Sequence, residues 1–289
     1  MNGTVRVVRE SGDLELQGDS PVRLDLQQFE LIVNAEHDRL AASLDVRGTQ
    51  AGRIAGSATA ALARRADGRW RLAPDAPLAG SLRIDVPSLA WVGPLVDQNL
   101  HTAGTLGAEF SITGTAASPR VQGTLRGEGL TITLADQGLR LGEGTVRADF
   151  DQDRLRLSQL SFSDSVRARP REDRIDVPAP GARPGTLTAT GEMLLSSGKG
   201  EIAVKADHLP LLQRADRWLM VSGEGTLRTS WQALALAGRV SADAGYWEIA
   251  RADAPKLGDD VVVLGRQPRS GPRMAIGLDV EADLGHHFY

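Results

Sequence analysis

The sequence predicts an all-β protein, an elongated, curved and mostly antiparallel open sheet with an apolar concave face and two short helical segments. Three observations predict it. Apolar residues recur at every second position in run after run, which lays them on one face of a strand and their polar neighbours on the other. Glycine is frequent, at 32 residues, as expected where short strands are joined by many turns and not where helices pack into a bundle. Aromatic residues make up only 4% of the chain, so the apolar faces would be lined mainly by Leu, Ile, Val and Ala.

Along the chain the alternation appears in Leu14/Leu16, Val22/Leu24/Leu26, Leu82/Ile84/Val86, Leu106/Ala108/Phe110/Ile112, Val146/Ala148/Phe150 and Ile202/Val204/Ala206. Ala66 to Arg69, Gly127-Glu128-Gly129 and Asp136-Gln137-Gly138 read as the turns between antiparallel neighbours. Two stretches depart from period two. Ser88 to Asp97 has Leu89, Val92 and Val96 at helical spacing after Pro87, and Pro94 limits any helix there to a turn or two. Leu209 to Leu219 offers Leu211, Leu212, Ala215, Trp218 and Leu219 after Pro210. Trp91 and Trp218 would then close the end of an open sheet.

A glycine-led strand follows each helical stretch, Gly104-Thr105-Leu106 and Gly225-Thr226-Leu227, and Pro119-Arg120-Val121 is echoed by Gly238-Arg239-Val240. An offset of about 120 residues marks a duplicated unit. The expected organisation is a β-rich portion over residues 1–80, one repeat over 81–206 with its helix near 88–97, and a second copy over 207–289 with its helix near 209–219. Residues 167–184, with Pro170, Pro178, Pro180 and Pro184 among dense charges, read as a flexible loop, and Gln267 to Pro272 as a second loop. The start lacks the apolar core of a signal peptide, and alternation continues through Ile276, Leu278 and Val280 toward the last residues, so a piece of a longer protein is expected.

Composition narrows the function. The formal net charge is −4 with Arg and Asp interspersed, which offers no basic stripe to a phosphate backbone, and nucleic acid is not an expected partner. With no cysteine, disulfides, thiolate metal sites and a Cys nucleophile are excluded. His37, His101, His208, His286 and His287 form no metal-ligand spacing. Asp259 and Asp260 are adjacent, so on a strand they face opposite ways and cannot share a reacting atom. No catalytic residue, metal site or cofactor is expected, and the chain does not read as an enzyme.

A sheet with one apolar face must cover that face. Two short helical pieces cannot, which leaves a sandwich, a barrel, or a trough that holds something greasy, and an extensible repeat suits the trough. The expected lining is Leu82, Ile84, Val86, Leu106, Phe110, Ile112, Leu134, Val146, Phe150, Ile202, Val204, Leu227, Leu236, Val240, Trp247, Ile249, Met274, Ile276, Leu278 and Val280. Such a surface suits phospholipid acyl chains: exposing a tail to water costs about 0.8 kcal/mol per methylene, which an apolar trough removes without any chemistry.

Several segments carry a resemblance. Gly223-Glu224-Gly225-Thr226-Leu227, Gly245-Tyr246-Trp247-Glu248-Ile249, Leu257 to Val263 and Leu278 to Gly285 resemble the C-terminal conserved region of the TamB family, and Gly104 to Thr115 followed by Ser118 to Gly123 resembles its repeating strand units. The resemblance covers residues 80 to 289, with residues 1 to 80 alike only in style. It implies a taco-shaped β-groove in the periplasm of Gram-negative bacteria, on a protein anchored in the inner membrane by a helix absent here. It further implies phospholipid transfer to the outer membrane and partnership with an Omp85-type outer-membrane protein, TamA. A chaperone or scaffold that receives strands of client outer-membrane proteins by β-augmentation is the alternative.

Overall fold

A computed structural model describes residues 2–64, 70–175, 177–178, 182–248 and 275–289. The expected lining residues Ile249 and Met274, the turn at Ala66 to Arg69, the acids Asp259 and Asp260, the loop at Gln267 to Pro272 and the segment Leu257 to Val263 lie outside them. The elements are β1 (Asn2–Val8), β2 (Glu15–Leu16), β3 (Val22–Arg23), β4 (Leu26–Glu36), β5 (Arg39–Gly48), β6 (Gly52–Arg64), β7 (Trp70–Leu72), β8 (Leu78–Val86), α1 (Val92–Val96), β9 (Leu100–Gly114), β10 (Pro119–Leu134), β11 (Leu139–Asp151), β12 (Arg154–Asp164), β13 (Gly185–Leu194), β14 (Gly200–Gln213), β15 (Arg217–Thr229), β16 (Ala233–Trp247) and β17 (Ala275–Asp283).

Sequential pairing builds one 15-stranded sheet in the order β1, β4, β5, β6, β8, β9 and then each strand in turn to β17, with β7 paired to β6 off this path. β2 and β3 form a separate small hairpin. Pairing is antiparallel throughout the large sheet except that β17 lies parallel to β16. A parallel neighbour needs a long crossover, and residues 248–274 supply the chain length for one.

The alternation places apolar side chains on one face, and the sheet curves toward that face. Leu139 on β11, Val240 on β16 and Val280 on β17, far apart in strand order, line a common cavity. The other face carries cross-strand ion pairs such as Arg83 with Glu109 (2.7 Å), Arg228 with Glu201 (2.9 Å) and Arg239 with Glu281 (2.7 Å). These are exposed pairs, worth little each, and they keep the outside wet.

The first helical stretch forms as α1, held to five residues around Pro94. Thr102 on β9 fixes it: its hydroxyl accepts from Gly93 N (2.9 Å) and donates to Leu89 O (2.6 Å). From the N-terminal side, Asp19 N and Ser20 N donate to Leu95 O and Pro94 O (both 2.9 Å). Gly18 is required at this contact, because a Cβ there would sit 2.6 Å from Leu95 Cα.

The second helical stretch is not a helix. Residues 209–219 are the end of β14, a turn, and the start of β15. Register shifts between Ala206 and Leu209 and between Pro210 and Leu212 insert extra residues into the ladder. Each bulge resets the phase of the alternation, and two close together imitate helical spacing. Pro210, which cannot donate to a ladder, sits at this irregularity. Gly127-Glu128-Gly129 is likewise a bulge inside β10 and not a turn, with Gly129 at φ +60° opposite Gly104 at φ +114° on β9.

Trp218 therefore lies on β15 and not on a helix. It is 0% exposed, on the convex face, where Met220, Ala244 and Ile175 pack with it. Its partner segment is the proline-rich stretch after β12, whose described residues form no strand. There Val166 and Val177 pack on the cluster, Ala168 O accepts from Trp218 Nε1 (2.9 Å), and Arg171 N donates to Ala215 O (3.0 Å).

Candidate functional site

The apolar face is continuous across the sheet. A single row of directly paired residues runs Phe29, Val46, Ile54, Ile84, Ala108, Leu125, Ala148, Leu157, Gly191, Ile202, Leu227, Leu236 and Leu278, crossing from β4 to β17. Every member is apolar or glycine. The next row along the strands, on the opposite face, runs Glu30, Asp45, Ala55, Arg83, Glu109, Thr124, Asp149, Arg156, Glu192, Glu201, Arg228, Ala235 and Gly277. Nine of these thirteen residues are charged, so one residue of register separates a greasy surface from an ionic one.

The expected lining falls on this face. Leu82, Ile84, Val86, Leu106, Phe110, Ile112, Val146 and Phe150 come together across β8, β9 and β11, and Ile202, Val204, Leu227, Leu236, Val240 and Val280 across β14 to β17. Leu134 sits at the far end of β10, paired with Leu100 and Leu139. Three residues stand apart by exposure. Ile276 and Leu278 are 77% and 74% exposed because, among the described residues, β17 has a neighbour on one side only, and Trp247 is 47% exposed at the end of β16, beneath the Arg217 guanidinium at 5.6 Å.

Sequence reasoning missed much of the same face: Leu31, Val33 and Leu44 near the N-terminus, Leu125, and the run Leu155, Leu157, Leu160 and Phe162. Strict alternation flags the first group. The β12 run breaks phase where Ser158 is passed over between the partners of Arg147 and Ala148, which hides it.

Side-chain packing along the face is uneven. The Phe110 and Phe150 rings meet edge to face at 5.1 Å, one on either side of Gly123, and a Cβ at Gly123 would run into the Phe110 ring. Phe162 covers Gly144 in the same manner. Farther along, a cavity of about 300 Å³ opens between β11 and β13 to β17, walled by Leu139, Leu141, Leu187, Val204, Leu209, Leu236 and Val240.

At one end of this cavity the sheet closes on itself. β12 and β13 stop at Asp164 and Gly185, while β10, β11, β14 and β15 run on. The β10–β11 and β14–β15 turns then meet: Gln213 N donates to Gly138 O (3.0 Å), Arg214 Nη1 to Asp136 O (3.2 Å), and Arg217 Nη1 to Gln137 Oε1 (3.2 Å). Behind this seam the Asp164 carboxylate, 3% exposed, accepts from Gln213 Nε2 (3.2 Å) and from Arg167, with Arg140 at 3.7 Å. Burial lowers the Arg167 pKa, and the nearby Arg140 charge adds to the effect. The hydrogen bond from Arg214 holds the Asp216 carboxyl below its usual range.

Among the described residues no helix is long and apolar enough to cross a membrane. Comparison with curated proteins and with solved structures gives no match. The family described as TamB, N-terminal domain, matches residues 1–126. This stretch overlaps only in part the residues 80 to 289 that resemble the family's C-terminal region and repeating units, and it includes residues 1 to 80, which are alike only in style. Over residues 1–126 the chain is thus similar to the TamB family, and the matched stretch forms part of the open, curved, almost wholly antiparallel sheet.

Proposed function

We propose that the concave face is a conduit for phospholipid acyl chains, carrying lipid through the periplasm between the inner and outer membranes and so serving outer-membrane biogenesis. The observation that carries this reading is the unbroken apolar row from Phe29 to Leu278. A face that wide, covered neither by helices nor by a second sheet among the described residues, is stable in water only with something apolar against it. A row without a charged member lets a tail slide from strand to strand with little change in free energy, whereas a single buried charge would stop it. The action needs no covalent step.

The test is the lipid recovered with the full chain expressed in a Gram-negative host. A charge in mid-row, Leu157→Asp, is expected to lower co-purifying phospholipid several-fold, while Arg156→Ser on the opposite face leaves it unchanged. Equal lipid in both variants and the wild type would overturn the reading.

A second reading rests on β17. Its outer edge has no neighbour among the described residues, and Ile276 and Leu278 project from it exposed. Such an edge is a template for strand addition, by a client outer-membrane protein or by an Omp85-type partner such as TamA. A proline at Gly277 would damage strand capture and spare lipid occupancy if this reading holds.

A further inference from the structure

The concave face is not a uniform rail. On β10 and β11 its glycines are covered, Gly123 by Phe110, Gly144 by Phe162, and Gly127 by Val146, whose Cγ1 lies 2.7 Å from where a Cβ would stand. On β15 and β16 they are bare. Gly225 pairs directly with Gly238. The three atoms nearest a Cβ on Gly238 would all be backbone, and of the three nearest one on Gly225 a single one is side chain, Leu236 Cδ1 at 3.5 Å. The layer of side chains is missing here, and the cavity of about 300 Å³ occupies its place.

We propose that this glycine-floored cavity is a discrete holding site for one hydrocarbon chain, a station at which a lipid tail rests. The proposal rests on the groove reading and adds a position and a size limit to it. Three observations select the occupant. Apart from Glu224 and Arg239, whose side chains the alternation sends to the opposite face, the lining side chains, among them Leu139, Leu187, Val204 and Val280, are aliphatic, and a polar ligand would lose its water there without gaining a hydrogen bond. Same-face rows in a strand stand about 6.7 Å apart, so a trench one row wide admits a chain but not a fused ring system. The overhang of Leu139 and Leu141 from β11 covers the trench, and the hydrogen bonds between Gly138 and Gln213 and between Asp136 and Arg214 shut one end of it. A tail resting here would enter from the side of Leu236 and leave the same way. Ala206, paired with Gly223, sets the depth of the trench.

The experiment uses the full chain and palmitic acid bearing a diazirine, with adducts mapped by peptide mass spectrometry. Adducts are expected to concentrate on peptides of β13 to β16, with fewer on β8 and β9. Ala206→Phe fills the trench from its wall without placing a Cβ against the glycine backbones, and Val280→Trp fills it from β17, so that a folding defect in one, seen by circular dichroism, leaves the other to decide. Either variant should lower the pocket adducts about tenfold and leave those near Leu82 and Phe110 unchanged. Pocket adducts that persist in a folded variant, or wild-type adducts spread evenly along the face, overturn the holding site and leave the conduit standing. Adducts nowhere on the concave face overturn both.

Discussion

Gly123 shows how a single residue shapes the apolar face. Phe110 and Phe150 flank it, and the Phe110 ring leans over it, so the glycine is a seat for an aromatic ring. Gly123→Ala is expected to cost about 1–3 kcal/mol by overpacking, read from urea denaturation. Trp218 is the opposite case, a large residue whose room is made by others. Trp218→Ala should cost about 3–5 kcal/mol, because a wholly buried indole leaves a cavity and its hydrogen bond to Ala168 is lost. Glu172 gives a pH prediction. Hydrogen bonds from the Arg174 side chain and backbone N–H lower its pKa from 4.5 to about 2. A pKa depressed in the folded state contributes stability that is present above 4.5 and lost as pH falls toward 2. Carboxyl titration by NMR should place the Glu172 midpoint near the lower value, and Arg174→Ala should return it to the usual carboxylate range.

Between elements, the seam turns a flat ribbon into a partly roofed trough, and the segment after β12 backs it on the convex face. Gln213 joins them: its backbone bonds Gly138, its amide donates to Asp164, and its carbonyl oxygen accepts from Arg167 N (2.6 Å). Gln213→Ala strips the buried Asp164 carboxylate of a donor and is expected to cost about 1–3 kcal/mol, with faster proteolysis in residues 165–178. The seam was not legible in the sequence, and of the segment after β12 only its irregular course was, not its packing on Trp218. Strands such as β8 and β9 announce themselves because Leu82, Ile84, Phe110 and Ile112 keep strict phase and the period-two signal is local. β12 and the β14–β15 corner do not, since bulges at Ser158 and at Leu209 to Leu212 break the phase, and at the corner the broken pattern reads as a helix. A contact between turns that are some 75 residues apart, such as Asp136 with Arg214, leaves no local trace at all. The short helix at Val92 to Val96 was legible because Pro87 and Pro94 bound it by chemistry that acts within one turn.

At the scale of the whole molecule, the face that was legible as a pattern becomes a surface only through register. Alternation says that Leu82 and Leu236 each point to some apolar face, and only the ladder of pairings from β4 to β17 makes it the same one. The central claim is that lipid tails travel on that surface and not on its charged reverse. The most direct measurement is site-specific photocrosslinking in cells, with a photoreactive residue at Leu157 in mid-row and, separately, at its neighbour Arg156 on the other face, followed by mass spectrometry of the attached molecule. Phospholipid adducts at Leu157 and none at Arg156 are the predicted result. Equal labelling at both positions, or protein adducts without lipid at Leu157, would contradict the account.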